Sequence, residues 1–214
     1  TDVMQPDGSL EVSSDAEGKG KTQGRQGERR AYSLKQEDQI QAVEGPARDV
    51  ISKLRPQAEA GDSKAAMALY MTLTRCYDVL TKELSEEEVE IYRKANAEKG
   101  LLEGWSKRID ECRGIPVSDL EDRGRWLEQA ADSDLLQAQL MYAANPRPII
   151  GDATEMIRNP QKVQRYKEKA MGYLEELAAK GNTNAMMSLA GFYDNGILVG
   201  KDPIKSYAYY KAVS

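Results

Sequence analysis

The sequence predicts an all-α fold: an α/α solenoid of about three to four helix pairs with inserted helices, preceded by a disordered N-terminal tail. Three observations lead there. From residue 35 onward helix start and stop signals follow one another, while strand signals are nearly missing. A spacing of leucine, alanine, glycine, alanine and leucine recurs along the chain. The first 33 residues carry five glycines and no aromatic residue before Tyr32, too little apolar surface to offset the entropy of ordering them. We therefore expect a disordered tail or tether over 1–33 and one α/α repeat domain over 34–214.

Taken in order, the tail contains GKGKT at Gly18 to Thr22, which looks like the end of a phosphate-binding loop. The full pattern needs a glycine where Asp15 stands, with a strand before and a helix after, so a polar linker is the better expectation. Helix starts are expected at Gly45-Pro46, at Ser85 with Glu88, at Ser118 with Glu121, at Asn159-Pro160 and at Asp202-Pro203. Each joins a capping side chain or a first-turn proline to a periodic apolar segment. Stops are expected at Gly61, Gly100, Gly114 and Gly181. The run Glu86, Glu87, Glu88 falls in a first turn, where the helix dipole accounts for it without a metal.

The repeat is clearest near the C-terminus. Leu174 is followed at offsets of 4, 7, 11, 15 and 19 by Ala178, Gly181, Ala185, Leu189 and Tyr193. The first copy places Leu54, Ala58, Gly61, Ala65, Leu69 and Leu73 at those offsets. The middle copy has Leu127, Ala131, Asp134, Ala138 and Tyr142, then Pro146. Leucine and alanine four apart share one helix face, the glycine ends that helix, and the next alanine and leucine face back from the helix that follows. One such pair cannot cover its own apolar face, so pairs stack. The leucine anchors lie 73 and 47 residues apart, which calls for insertions: helices near 85–100 and 101–113, and a proline-broken loop from Asn145 to Asn159.

Residues 174–212 closely resemble a Sel-one-like repeat, an α/α unit related to tetratricopeptide repeats. Ala178, Gly181, Ala185, Leu189, Ala190, Tyr193 and Gly196 match its first helix and loop. Asp202, Lys205, Tyr209, Tyr210, Lys211 and Ala212 match its second, with Ser206 where alanine is usual and Tyr209 in the tryptophan place. The resemblance implies a solenoid that binds other proteins, often in bacterial envelope or signalling assemblies.

Composition narrows the chemistry. Histidine is absent, which removes Ser-His-Asp and Cys-His catalysis and imidazole zinc sites. A net charge of -5 with mixed signs argues against nucleic acid as a partner. No apolar run reaches the roughly 18 residues of a membrane span. No metal or cofactor is expected. The chain begins at Thr1 rather than methionine, which leads us to expect an export signal or a membrane tether upstream.

Cys76 and Cys112 are the two cysteines. Ala65, Leu69, Leu73, Cys76 and Leu80 make one helical stripe, and Leu102, Trp105, Ile109 and Cys112 make another, so both thiols are expected on apolar faces. We expect them to pair, stabilising the fold by roughly 3 to 4 kcal/mol through loop closure and placing it in the periplasm or envelope. Two separate buried thiols in a reducing cytoplasm are the alternative.

The leading functional expectation is a non-enzymatic adaptor holding another protein. Met67, Leu140 and Met187 share one repeat offset, and thioethers suit an adaptable surface, although apolar stripes ordinarily pack between repeats. Tyr70, Arg75 and Tyr193 are further candidates for partner contact. An immunity or inhibitor protein for a secreted toxin is a sharper version. A carboxylate hydrolase is the alternative from another class, resting on Asp110 with Glu111 or Glu175 with Glu176. Adjacent helical residues diverge, so neither makes a convincing acid and base pair. Titration of the denatured, unreduced protein should find no reactive thiol, and two would end the disulfide expectation.

Overall fold

Three turns built alike organise the chain. In the computed structural model, which describes residues 31–214, Gly61, Asp134 and Gly181 have φ of 97°, 58° and 95°. Each donates its N–H to the carbonyl three residues back, at Ala58, Ala131 and Ala178, and the next residue donates to the carbonyl five back, at Gln57, Ala130 and Leu177. This is a Schellman closure, which satisfies the last carbonyls of one helix before the next begins. Asp134 adopts the left-handed conformation that glycine holds in the other two copies; Gln139 Nε2 donates at 3.3 Å to its carboxylate and at 3.3 Å to Ala131 O.

The described residues form twelve α-helices: α1 (Ala47–Glu59), α2 (Ser63–Thr81), α3 (Glu86–Lys94), α4 (Glu98–Glu111), α5 (Val117–Glu121), α6 (Gly124–Asp132), α7 (Leu136–Ala144), α8 (Arg147–Ile150), α9 (Ala153–Arg158), α10 (Pro160–Ala179), α11 (Thr183–Asn195) and α12 (Pro203–Val213). The fold is all-α, and the sole β feature among the described residues is a bridge between Tyr32 and Asn182. GKGKT and the expected tail, apart from Ala31 to Ser33, lie outside the described residues.

Five of the twelve α-helices start at a side-chain cap. Ser85 and Glu88 form a capping box at α3, and Asp62, Asp152, Asn182 and Asp202 accept first-turn N–H groups of α2, α9, α11 and α12. Two expected signals are corrected. Gly100 lies inside α4, and the break before that helix is at Asn96, with φ 56°. Ser118 lies inside α5, which starts after Pro116 without a side-chain cap. The expected loop from Asn145 to Asn159 holds α8 and α9, because Pro146 and Asp152 each start a short helix.

The main packing follows one line: α1 on α2, α2 on α6, α6 on α7, α7 on α10, α10 on α11, and α11 on α12. Its interior is the repeat pattern. Ala58, Ala65, Leu69, Leu73, Leu127, Ala131, Ala138, Tyr142, Leu174, Ala178, Ala185, Leu189 and Tyr193 are all buried. Alanines stand beside each turn because nothing larger lets two helices approach there, and leucines and tyrosines fill the space a helical turn away.

Cys76 and Cys112 form a disulfide, with both residues wholly buried and their Cα atoms 5.3 Å apart. The stripes drawn through them are only partly right. Leu80, Leu102 and Ile109 are exposed, and α3 and α4 contain no buried residue. The reason is coverage: α4 meets mainly α2 and α3, so its apolar side is only partly covered, with Trp105 half-buried against the core. The disulfide thus ties a lightly packed arm, α3 and α4, to the middle of the core.

Gly124 marks a close approach between α6 and α8, since a Cβ there would lie 1.9 Å from Pro148 O. Gly124→Ala should lower stability by about 1–3 kcal/mol through overpacking. Gly172→Ala, mid-helix in α10 with nothing within 4 Å of the added methyl, should raise it by about 0.5–1 kcal/mol. Urea midpoints of the two variants moving in the same direction would contradict this packing.

Candidate functional site

The segment before α1 does not fold back on its own helix. It runs across the stack. At its outer end Tyr32 N–H donates to Gly181 O at 3.1 Å, and Tyr32 O accepts from Thr183 N–H at 2.9 Å and Thr183 Oγ1 at 3.2 Å. Leu34 N–H then donates to Asn184 Oδ1 at 2.9 Å. After a single 3-10 turn at Gln36–Asp38, Ile40 N–H donates to Gln137 Oε1 at 2.6 Å and Ile40 O accepts from Gln137 Nε2 at 2.9 Å. Val43 O accepts from Arg75 Nη2 at 3.2 Å. The segment therefore visits α11, α7 and α2 in turn, opposite to the order of the chain.

Two of the groups that hold it come from one place in the repeat. Gln137 and Asn184 each lie ten residues beyond their leucine anchors, Leu127 and Leu174. Both follow a Schellman turn and fall at the start of the second helix of a pair. A carboxamide there offers a donor and an acceptor, and Gln137 uses both on Ile40. Ile40 is half-buried against the core, and Leu34 is half-buried too, while most other side chains of the segment are exposed. These groups were not among the sequence-based expectations; the faint signal that could have found them is a carboxamide at one offset in two of the three copies, with Lys64 in the first, and isolated aliphatic residues within a polar run.

The residues expected to contact a partner divide sharply. Met67 and Tyr70 are fully buried and cannot reach one, because α2 is covered by α1, α5 and α6. Leu140, at the same offset as Met67, is half-buried against the core. Met187 is 48% exposed, since α11 packs chiefly between α10 and α12. Tyr193 is buried and stacks on Tyr209 with ring centroids 6.1 Å apart. Arg75 does bind a peptide main chain, but it is the chain's own, at Val43.

A second concavity of about 450 Å³ lies among α6, α8 and α10, with Glu121, Asp122 and Glu128 facing Lys162, Arg165 and Lys169 around it. Its central charges are already satisfied. Lys169 Nζ donates to Glu128 at 2.7 Å and to Asp132 at 2.8 Å, and Tyr173 OH donates to Asp132 at 2.5 Å. Tyr166 OH donates to Tyr142 O and Ala143 O at 2.8 and 3.0 Å, closing the end of α7. Burial disfavours the Lys169 ammonium, but its bonds to Asp132 and Glu128 outweigh that and raise its pKa. Two of the four carboxylates considered for catalysis are ion-paired, Asp110 with Arg113 at 2.6 Å and Glu176 with Lys180 at 2.6 Å. Among the described residues no acidic or cysteine cluster converges as a metal site, and no helix is long and apolar enough to cross a membrane.

No protein-family model, curated protein or solved structure matches the chain.

Burial raises the pKa of the Tyr142, Tyr166 and Tyr173 phenols above the ordinary 10.0; the charge of Glu128 adds to the shift at Tyr142 and the bond to Asp132 at Tyr173. Above pH 10.0 the unfolded chain therefore loses these protons first, so stability falls as pH rises past that value and is unaffected by them below it. In an alkaline titration the three phenols should ionise only as helical circular dichroism is lost. Ionisation of all eleven tyrosines while the helices remain would refute that environment.

Proposed function

We propose that this protein is a non-enzymatic adaptor of the Sel-one-like repeat type, an α/α solenoid that holds another protein on the surface of its helix pairs. The observation that carries this reading is the groove across α2, α7 and α11, which accepts a chain extended on either side of one 3-10 turn through hydrogen bonds to its main chain. Solenoids act through such extended surfaces and need no deep pocket. The linear packing of the helices and the shared turn supply the repeat character. The disulfide supports an oxidising compartment, in keeping with export to a bacterial envelope. The engagement of Asp110 and Glu176 by Arg113 and Lys180 favours binding over carboxylate hydrolysis.

The tagged full chain, purified under oxidising conditions from its own source, should bring down one partner in stoichiometric amount. Hydrogen exchange should place the footprint on α2, α7 and α11. Recovery of no partner counts against the proposal. So does turnover of peptidoglycan or a glycoside that a single carboxylate replacement abolishes.

A further inference from the structure

We infer that the groove recognises its partner as an extended peptide gripped by the main chain, and that residues 31–45 are the built-in competitor this peptide must displace. The inference rests on the adaptor reading and goes further by naming the partner's chemistry and a cis occupant.

The bonds that Gly181, Thr183, Asn184, Gln137 and Arg75 make to the segment all end on main-chain N–H or C=O groups, at Tyr32, Leu34, Ile40 and Val43. Any extended peptide carries those groups, so the mode of holding does not belong to this segment's side chains. The larger aliphatic side chains of the segment that lose exposure are Leu34 and Ile40, six residues apart, Ile40 packed against the core beside Gln137 and Leu34 half-buried beside Asn184. A partner strand should therefore carry two aliphatic residues at that spacing. Gln137 is buried, so an empty groove would leave its carboxamide without its two partners, an unfavourable state that favours keeping some chain in place.

The occupant is nonetheless poorly anchored. Most of its side chains are exposed, and it joins α1 through Gly45, whose φ of 105° is reached freely only by glycine. The segment competes mainly because it is tethered, at an effective concentration of order millimolar. A trans peptide sees a mostly occupied groove until the cis segment is weakened.

The test uses a fluorescein-labelled synthetic peptide of residues 31–45 and full-length protein. Ile40→Asp in the protein should loosen the cis segment and bind the labelled peptide at least about tenfold more tightly than the unaltered chain. Leu34→Asp provides a second loosened chain should Ile40→Asp lose its helical circular dichroism. Adding Gln137→Ala or Asn184→Ala to a loosened chain should weaken peptide binding by about tenfold, as should placing aspartate at the Ile40 position of the peptide. Equal binding to loosened and unaltered chains overturns the inference, and so does no binding by loosened chains that keep their helices. The two proposals can fail separately. A peptide that binds while the full chain recovers no partner sinks the adaptor reading alone, and a partner whose footprint lies on α3, α4 or α12 sinks the groove alone.

Discussion

The left-handed residue at one repeat offset is the constraint on which this architecture depends. Gly61, Asp134 and Gly181 each turn the chain within two residues and satisfy the carbonyls of the helix just ended. Because each turn is the same, the alanine three residues before it and the alanine four residues after it fall where two helices cross. That explains why those alanines are buried and why larger side chains appear only a helical turn farther out. The same turn also sets Gln137 and Asn184 at the start of their helices, so one backbone device positions both the packing and the groove.

Much of this was legible before any coordinates. The repeat offsets identified the buried alanines, leucines and tyrosines, because a period of 3.6 residues and a turn residue are both written locally. Four of the five expected helix starts, those of α1, α3, α10 and α12, fall where capping residues or first-turn prolines placed them, for the same reason. The cysteine pair could be foreseen as well, although not from the stripes used to foresee it, since Leu102 and Ile109 proved to be exposed. Periodicity tells which face of a helix is apolar. It does not tell whether another element covers that face, and for α4 little does.

The groove illustrates the opposite case. Nothing in the run from Tyr32 to Val43 is periodic, and its bonds reach residues up to 151 positions away. Main-chain groups are common to every residue, so a segment held by them leaves only a faint mark in composition, here Leu34 and Ile40 among polar neighbours. Tyr70 and Met67 show the complementary error. The spacing of Met67 matched an exposed position in one copy, Met187, but in the first copy α2, which also carries Tyr70, is covered by α1, α5 and α6. Copies of a repeat share internal geometry more faithfully than they share neighbours.

The arm formed by α3 and α4 contributes no buried residue of its own and hangs on a covalent tie to the core. Beyond that tie, Trp105 is the arm's aromatic contact with the core, and the rest of its apolar surface adds little to folding. Substitutions on the exposed Ile91, Tyr92 or Leu102 should accordingly leave the interior undisturbed, so the arm can vary in sequence while the rest of the fold stays constant.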